Sequence, residues 1–367
     1  METNTTLTVR PFTIRVDESQ LADLRERLAR TRLPQPAPAD DWSTGTPNSY
    51  LSAAIDRWRD GFDWRAVEEK LNARPHFLTE IDGQTIHFLH VPSARPDAPA
   101  LLLAHTYPGS AADYLDLIDA LSADFSLVIP DAPGFGWSQP VVESGWTTAR
   151  VAAAYDTLMR GLGYDSYGVH GSDNGALIAR ELGLLAPEGF LGLHVQQLFS
   201  FPSGDPSEFE RLDPQDYAGL EHMKWFQSVG AYNAMNSSRP QTIAAALSDS
   251  PLGLLAYSEL FESFGNGTSR VPLDAVLTAV SIAWFTNAPA GMSRAYYENA
   301  TVPPSTAVNA SRTGVAVFAD DFQTIRVFAE RDNSRIVHWS RFPEGGHFAA
   351  LEFPAVLADD IRAFFTA

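Results

Sequence analysis

The sequence contains no cysteine. Disulfide cross-links, a thiolate nucleophile and any cysteine-ligated metal are therefore excluded together. Lysine is almost absent, at Lys70 and Lys224 only, so nearly every basic side chain is arginine. Positive charge is scarce overall: 26 Lys and Arg stand against 45 Asp and Glu, a formal net charge of -19 at pH 7. Such a chain repels phosphate backbones and anionic lipid headgroups, so neither nucleic acid nor a membrane is the expected partner, and a neutral or cationic small molecule is. No apolar run approaches the roughly 20 residues that span a bilayer. Met1-Glu2-Thr3-Asn4-Thr5-Thr6 has no basic start followed by an apolar stretch. The expectation is a soluble, cytoplasmic protein.

What is present is a globular composition, 45% hydrophobic and 19% charged over 367 residues, enough for one large α/β core with additions. Residues 1–75 read as a proline-broken helical meander without a clear strand. Leu21, Leu24, Leu28 and Ala29 share one helical face, and Trp42, Trp58, Phe62, Trp64 and Leu71 are available to dock it on a larger body. From His76 the period changes. His76 to Ile81 and Gln84 to Val91 flank Asp82-Gly83, a strong hairpin signal. Short apolar runs at 100–104 and 125–129, then strands near Gly168 and Leu191, alternate with helical stretches at 111–123, 147–161 and 175–185. This is the βαβ rhythm of an open parallel sheet. The rhythm stops after Pro202: residues 208–303 read as an inserted helical lid, and the core, begun at 76–207, resumes over 304–367. Strands at 314–318 and 336–339 precede a helix carrying Val356, Leu357, Ile361 and Phe364.

Function in such sheets gathers at the carboxyl ends of strands. There lies Gly171-Ser172-Asp173-Asn174-Gly175, between a strand-like and a helix-like segment. It has the layout of a nucleophile elbow, in which glycines permit a sharp strand-to-helix turn that exposes the middle side chain. With aspartate in the middle, the chemistry indicated is attack on an electrophilic sp3 carbon, leaving an ester for water to cleave. A second strand-end acid follows in Phe318-Ala319-Asp320-Asp321, and a histidine in Gly345-Gly346-His347-Phe348. Nucleophile, acid, histidine is the chain order of the α/β-hydrolase triad. Asp321 would orient His347, and His347 would take a proton from water, since an ionised Asp173 needs no activation. His105, His170, Ser172 and Asp131 are assigned structural roles.

Taken with these motifs, several separate stretches resemble the microsomal-type epoxide hydrolases over nearly the whole chain. They are Arg10-Pro11-Phe12, Leu24-Arg25-Glu26-Arg27-Leu28, Phe62-Asp63-Trp64-Arg65, Arg239-Pro240-Gln241-Thr242, Asp249-Ser250-Pro251-Leu252-Gly253-Leu254 and Gly345-Gly346-His347-Phe348-Ala349-Ala350-Leu351-Glu352. The resemblance implies an α/β-hydrolase fold without cofactor or metal, a small-molecule epoxide as substrate and two lid tyrosines hydrogen-bonded to the epoxide oxygen. By local match these are Tyr232 and Tyr296, with Tyr297 as the competitor for the second role. It also implies that Tyr107 and Asn174 supply the backbone N–H groups of an oxyanion hole, and that Pro108 is cis. Two departures are visible: Thr106 replaces a glycine of the family's His-Gly-Trp-Pro loop, and Asn174 a tryptophan beside the nucleophile. A homodimer is implied as well, and relatives of this type include enzymes of antibiotic pathways.

Two other readings stand beside this one. A haloalkane or haloacid dehalogenase could use the same triad, but it needs a halide donor, commonly the tryptophan that Asn174 replaces. A non-catalytic binding protein would have no reason to keep Asp173, Asp321, His347, Tyr232 and Tyr296 together.

Overall fold

The computed structural model describes residues 7–303 and 305–366, so residues 1–6 of the first expected segment and residues 304 and 367 of the last lie outside it. The runs 100–104 and 126–130 are buried at every position, as two-sided burial in a parallel sheet requires. They form β4 (Ala100–Ala104) and β5 (Ser126–Pro130) of a nine-stranded sheet. The other strands are β1 (Arg10–Phe12), β2 (His76–Ile81), β3 (Gln84–Val91), β6 (Tyr167–Gly171), β7 (Phe190–Val195), β8 (Thr313–Phe318) and β9 (Ile336–Phe342). Their order is β1-β2-β3-β5-β4-β6-β7-β8-β9. Pairing is antiparallel from β1 to β5 and parallel from there to β9. Ile81 pairs with Gln84, leaving Asp82 and Gly83 as a two-residue loop, both at positive φ as a tight hairpin turn requires.

Helices α1 (Glu18–Ala29), α2 (Asn48–Asp60) and α3 (Trp64–Asn72) make up the N-terminal segment. α4 (Leu115–Leu121), α5 (Thr148–Gly161) and α6 (Asn174–Leu185) connect the parallel strands. Between β7 and β8 come α7 (Pro206–Phe209), α8 (Pro214–Val229), α9 (Ala231–Ser238), α10 (Pro240–Leu247), α11 (Pro251–Tyr257), α12 (Leu273–Phe285) and α13 (Pro289–Ala300). α14 (Arg326–Asp332), α15 (Ala349–Glu352) and α16 (Pro354–Thr366) complete the chain. Among the described residues no single helix is long and apolar enough to cross a membrane.

The N-terminal segment departs from expectation in one element. β1 adds an edge strand to the sheet, pairing Arg10 with Leu78 and Phe12 with His76. Three residues are too few to display a period, and Pro11 argues against a central strand while being tolerated at an edge, where a missing N–H costs nothing. Two side chains expected on helical stripes also face outward. Ala29 is exposed on α1 and Val356 on α16, whereas Leu21, Leu24 and Leu28, and Leu357, Ile361 and Phe364, are buried.

The body on which this segment docks is the helical insertion. Leu24, Leu28, Leu51, Ile55 and Trp58 share one apolar cluster with Leu247, Leu254, Leu255, Val276, Leu277 and Val280. The Trp58 indole N–H donates to Ser281 Oγ at 2.9 Å inside that cluster. At its rim, Arg57 forms two hydrogen bonds with the Asp274 carboxylate and Arg27 reaches Asp249. The insertion is thus clamped from above by the N-terminal segment and from below by the strand ends.

Trp58→Ala removes a buried indole and leaves the Ser281 hydroxyl without that partner. It should destabilise the fold by about 3–5 kcal/mol, read as a lowered midpoint in chemical denaturation. A midpoint within error of the unsubstituted protein would show that the segment does not hold the insertion.

Candidate active site

The sheet order brings β6, β7 and β8 side by side, so the loops after them meet at one edge. Asp173 stands between β6 and α6 at φ 49, ψ -115, a conformation an L-residue adopts only when its surroundings impose it, at a cost of order 1–3 kcal/mol. The flanking glycines are obligatory here. A Cβ at Gly171 would lie 2.1 Å from the Gly175 carbonyl oxygen, and one at Gly175 only 1.9 Å from that of Ala104. The Asp173 N–H donates to Gln197 Oε1 at 2.6 Å, and its carboxylate accepts the Tyr107 N–H at 3.0 Å together with the Asn174 N–H. Burial pushes this carboxyl above its ordinary value, against the opposing pull of His347 and those two amides.

His347 occupies the loop after β9. Its Nδ1 lies 2.9 Å from Asp321 Oδ1, and its Nε2 lies 4.0 Å from Asp173 Oδ2. That Nε2 is buried and has no hydrogen-bond partner among the described residues. Burial by itself would lower the imidazole pKa, but the Asp321 carboxylate, with Asp173 and Glu352 behind it, outweighs burial and raises it. Asp321 shifts the opposite way: burial disfavours its charge, yet His347, the Phe322 N–H and Gln197 hold it below the usual carboxylate range.

Two phenols from the insertion complete the arrangement. Tyr232 on α9 stacks on Tyr107 with ring centroids 5.4 Å apart and planes 10° from parallel. Tyr296 on α13 stands edge-on to both, at 4.9 Å from Tyr107 and 5.9 Å from Tyr232. Burial, with the Asp173 charge nearby, drives both phenol pKa values far up, so both stay protonated donors. Tyr297 is 40% exposed and turns away, as a neighbour about 100° around the helix must.

The Tyr107–Pro108 bond is cis. Thr106 stays outside the left-handed region of backbone space, so replacing the family's glycine brings no strain there. The Tyr107 and Asn174 amides converge on the one carboxylate where an ester would form. The space behind the Tyr107 ring is lined chiefly by apolar side chains, among them Leu247, Leu254, Phe261, Val280 and Met292.

The residues set aside from catalysis lie in other networks. Asp131 accepts from the Ala111 and Trp137 N–H groups and pairs with His87, which contacts His76 at 2.9 Å. His105 bonds the Thr106 carbonyl oxygen and the Ala132 N–H, and Ser172 donates to Gln196 Oε1. His170 meets His194, which with His338 engages the two oxygens of Asp360 and ties α16 to the sheet. Apart from His170 Nε2, which is buried without a partner among the described residues, those donors and acceptors are taken up by one another.

Several residues at the site were not singled out from sequence. Gln196 and Gln197, at the end of β7, both donate to Asp321 Oδ2. Asn236 donates to the Tyr107 hydroxyl at 3.1 Å and accepts from that of Tyr257 at 2.9 Å. The only local signal for the glutamines is a pair of amides directly after an apolar strand, which a surface turn would equally produce.

Residues 9–114 match the family described as epoxide hydrolase N terminus, and residues 99–354 match the alpha/beta hydrolase fold. A protein of Stigmatella aurantiaca named "Putative epoxide hydrolase" is 35% identical, across 97% of this chain and 84% of its own. Epoxide hydrolase 1 of Sus scrofa is 29% identical, across 97% and 88%. Among solved structures, the Aspergillus niger epoxide hydrolase superposes with a TM-score of 0.87 at 28% identity, covering 98% of this chain and 97% of that one. The juvenile hormone epoxide hydrolase of the silkworm Bombyx mori gives 0.89 at 25%, covering 98% and 94%. With its elbow aspartate, its two phenols on the insertion and this likeness along its length, the chain belongs to the epoxide hydrolase family.

Proposed function

We propose that the chain converts an epoxide to a vicinal diol through a covalent ester on Asp173. The observation that carries this reading is the pair of phenols on the insertion, Tyr232 buried and Tyr296 half-buried, packed against the Tyr107 ring whose own N–H binds the Asp173 carboxylate. The carboxylate attacks one epoxide carbon, forming a C–O bond as the ring C–O bond breaks. Charge collects on the departing oxygen, where Tyr232 and Tyr296 donate hydrogen bonds and one of them passes its proton. The 4.0 Å separation of His347 Nε2 from Asp173, with Nε2 otherwise unpartnered, accommodates a water in the second step. His347 takes a proton from that water, and the oxygen adds to the ester carbonyl carbon. The Tyr107 and Asn174 N–H groups hold the resulting oxyanion. Collapse of that intermediate expels the diol oxygen, to which the imidazolium returns its proton, and the proton left on the new Asp173 carboxyl group passes to the phenolate. Asp321 orients the imidazole and stabilises its charged form.

Two phenols suit a developing alkoxide better than a departing halide, which disfavours halide displacement. Family resemblance is what supports a homodimer and an epoxide of antibiotic-pathway type, and the small, polar Asn174 beside the nucleophile is what supports a bulky, functionalised one. A panel of epoxides tests the last point: small aliphatic epoxides turning over far faster than bulky aryl ones would refute it.

One turnover in heavy-oxygen water should place the label in Asp173 and leave the diol unlabelled; label appearing directly in the diol would sink the covalent route. Asp173→Asn should form no ester, and His347→Gln should accumulate it. Tyr232→Phe and Tyr296→Phe should each slow ester formation by roughly 10²-fold or more, measured by single-turnover kinetics.

The pH dependence has a definite sign. His347 must be neutral to act as a base, and its pKa is raised, so activity should fall as pH drops through that raised value. Esterification removes the Asp173 charge, one of the groups that raise it, so the acid limb of kcat should lie below the pH at which free-enzyme His347 titrates by NMR. Coincidence of the two would mean that another group limits hydrolysis.

A further inference from the structure

Gln197 leaves the strand that lies between the one bearing the nucleophile and the one bearing the acid. Its side chain is fully buried, and each end of its amide is committed. Oε1 accepts the Asp173 N–H at 2.6 Å, and Nε2 donates to Asp321 Oδ2. The orientation has no ambiguity, since a backbone N–H can only donate and an ionised carboxylate can only accept. Gln196 Nε2 adds a second donor to Asp321 Oδ2 at 3.0 Å and also binds the Gly346 and His347 carbonyl oxygens. Asp321 Oδ2 is thereby occupied by two amides, which leaves Oδ1 to face His347 Nδ1.

We propose that Gln197 is a positioning residue for this reaction: its single amide holds the backbone of the nucleophile and the carboxylate of the acid in register, so that ester formation and ester cleavage share one geometry. Gln196 assists by fixing the His347 loop to the same carboxylate. This rests on the covalent reading above. It extends that reading from the groups that touch substrate to a link between them. Without the amide, Asp173 would lose a partner for the N–H of its strained residue, and Asp321 Oδ2 would keep only the Gln196 amide to hold Oδ1 against His347. A displacement of about 1 Å at such a site costs on the order of 10²-fold in rate.

The two ends of the amide can be tested separately. Gln197→Leu removes both bonds. Gln197→Glu has the same shape and still accepts from the Asp173 N–H, but it sets an ionisable oxygen against Asp321 in place of a donor. Two buried carboxyls in contact share one proton, so Gln197→Glu donates to Asp321 only in its protonated form and loses that bond as pH rises. The other titratable groups around this pair are Asp173 on the elbow, Glu352 on α15, Asp320 beside Asp321, and His222 on α8; none changes in either variant.

Single-turnover traces and kcat profiles over pH 5–10 would be recorded for the wild type and both variants. Gln197→Leu should accumulate the Asp173 ester and lose roughly 10²-fold in its hydrolysis. Gln197→Glu should keep the fold but lose ester hydrolysis as pH rises through the titration of that shared proton, a basic limb the wild type lacks. A purely structural glutamine predicts a lower unfolding midpoint with no such limb, and that result would overturn the proposal. So would a Gln197→Leu enzyme that cleaves its ester at the wild-type rate. Absence of any ester in the wild type would bring down the covalent reading and this one with it, an outcome distinct from a wild-type ester indifferent to residue 197.

Discussion

A carboxylate nucleophile in a buried, strained turn is the constraint around which this molecule is built. Asp173 must be withdrawn from bulk water for its charge to act on a neutral electrophile, yet burial opposes that charge. The structure meets both demands with fixed dipoles: the Tyr107 and Asn174 amides bind the carboxylate, and the amide of Gln197 holds the backbone N–H. These groups are in place before substrate arrives, so in the covalent route proposed for Asp173 no reorganisation is required as charge moves from carboxylate to alkoxide and later to the ester oxyanion.

The same economy governs the second carboxylate. Asp321 is buried and ionised, and each of its oxygens has an assigned donor, His347 on one side and two glutamine amides on the other. Its charge is what keeps the imidazole pKa up in an environment that would otherwise depress it. Two acids in one cavity thus have opposite fates, the nucleophile shifted upward and the acid downward, because one faces the substrate space and the other is saturated with donors.

Enclosure comes from an unexpected direction. The tryptophan-rich N-terminal segment packs against the helical insertion, with Trp58 bonded to Ser281 in the joint core. The insertion that carries Tyr232 and Tyr296 is therefore braced on its outer side, which keeps α9 and α13 in fixed relation to the elbow. The Asn236 and Tyr257 side chains extend this brace to the Tyr107 ring on which Tyr232 stacks.

Much of this was written locally. Alternating and fully apolar runs specify strands by burial alone, Asp82-Gly83 specifies a hairpin because few other pairs accept two positive φ values, and Gly171 and Gly175 specify an elbow because nothing larger fits there. Asp173, Asp321 and His347 could be named by their order and by their places after predicted strands. What the chain could not disclose by itself depends on distances through space. β1 is too short to have a period, and Ala29 and Val356 turned outward because a stripe of apolar residues does not say where its edge lies. Tyr296 and Tyr297 are equivalent as letters, and only the rotation of α13 against its neighbours turns one towards Tyr107 and the other to solvent. Gln197 carries no local mark at all. Its two hydrogen bonds reach residues 24 and 124 positions away, and only the placing of β7 between β6 and β8 brings those partners within the span of a single amide.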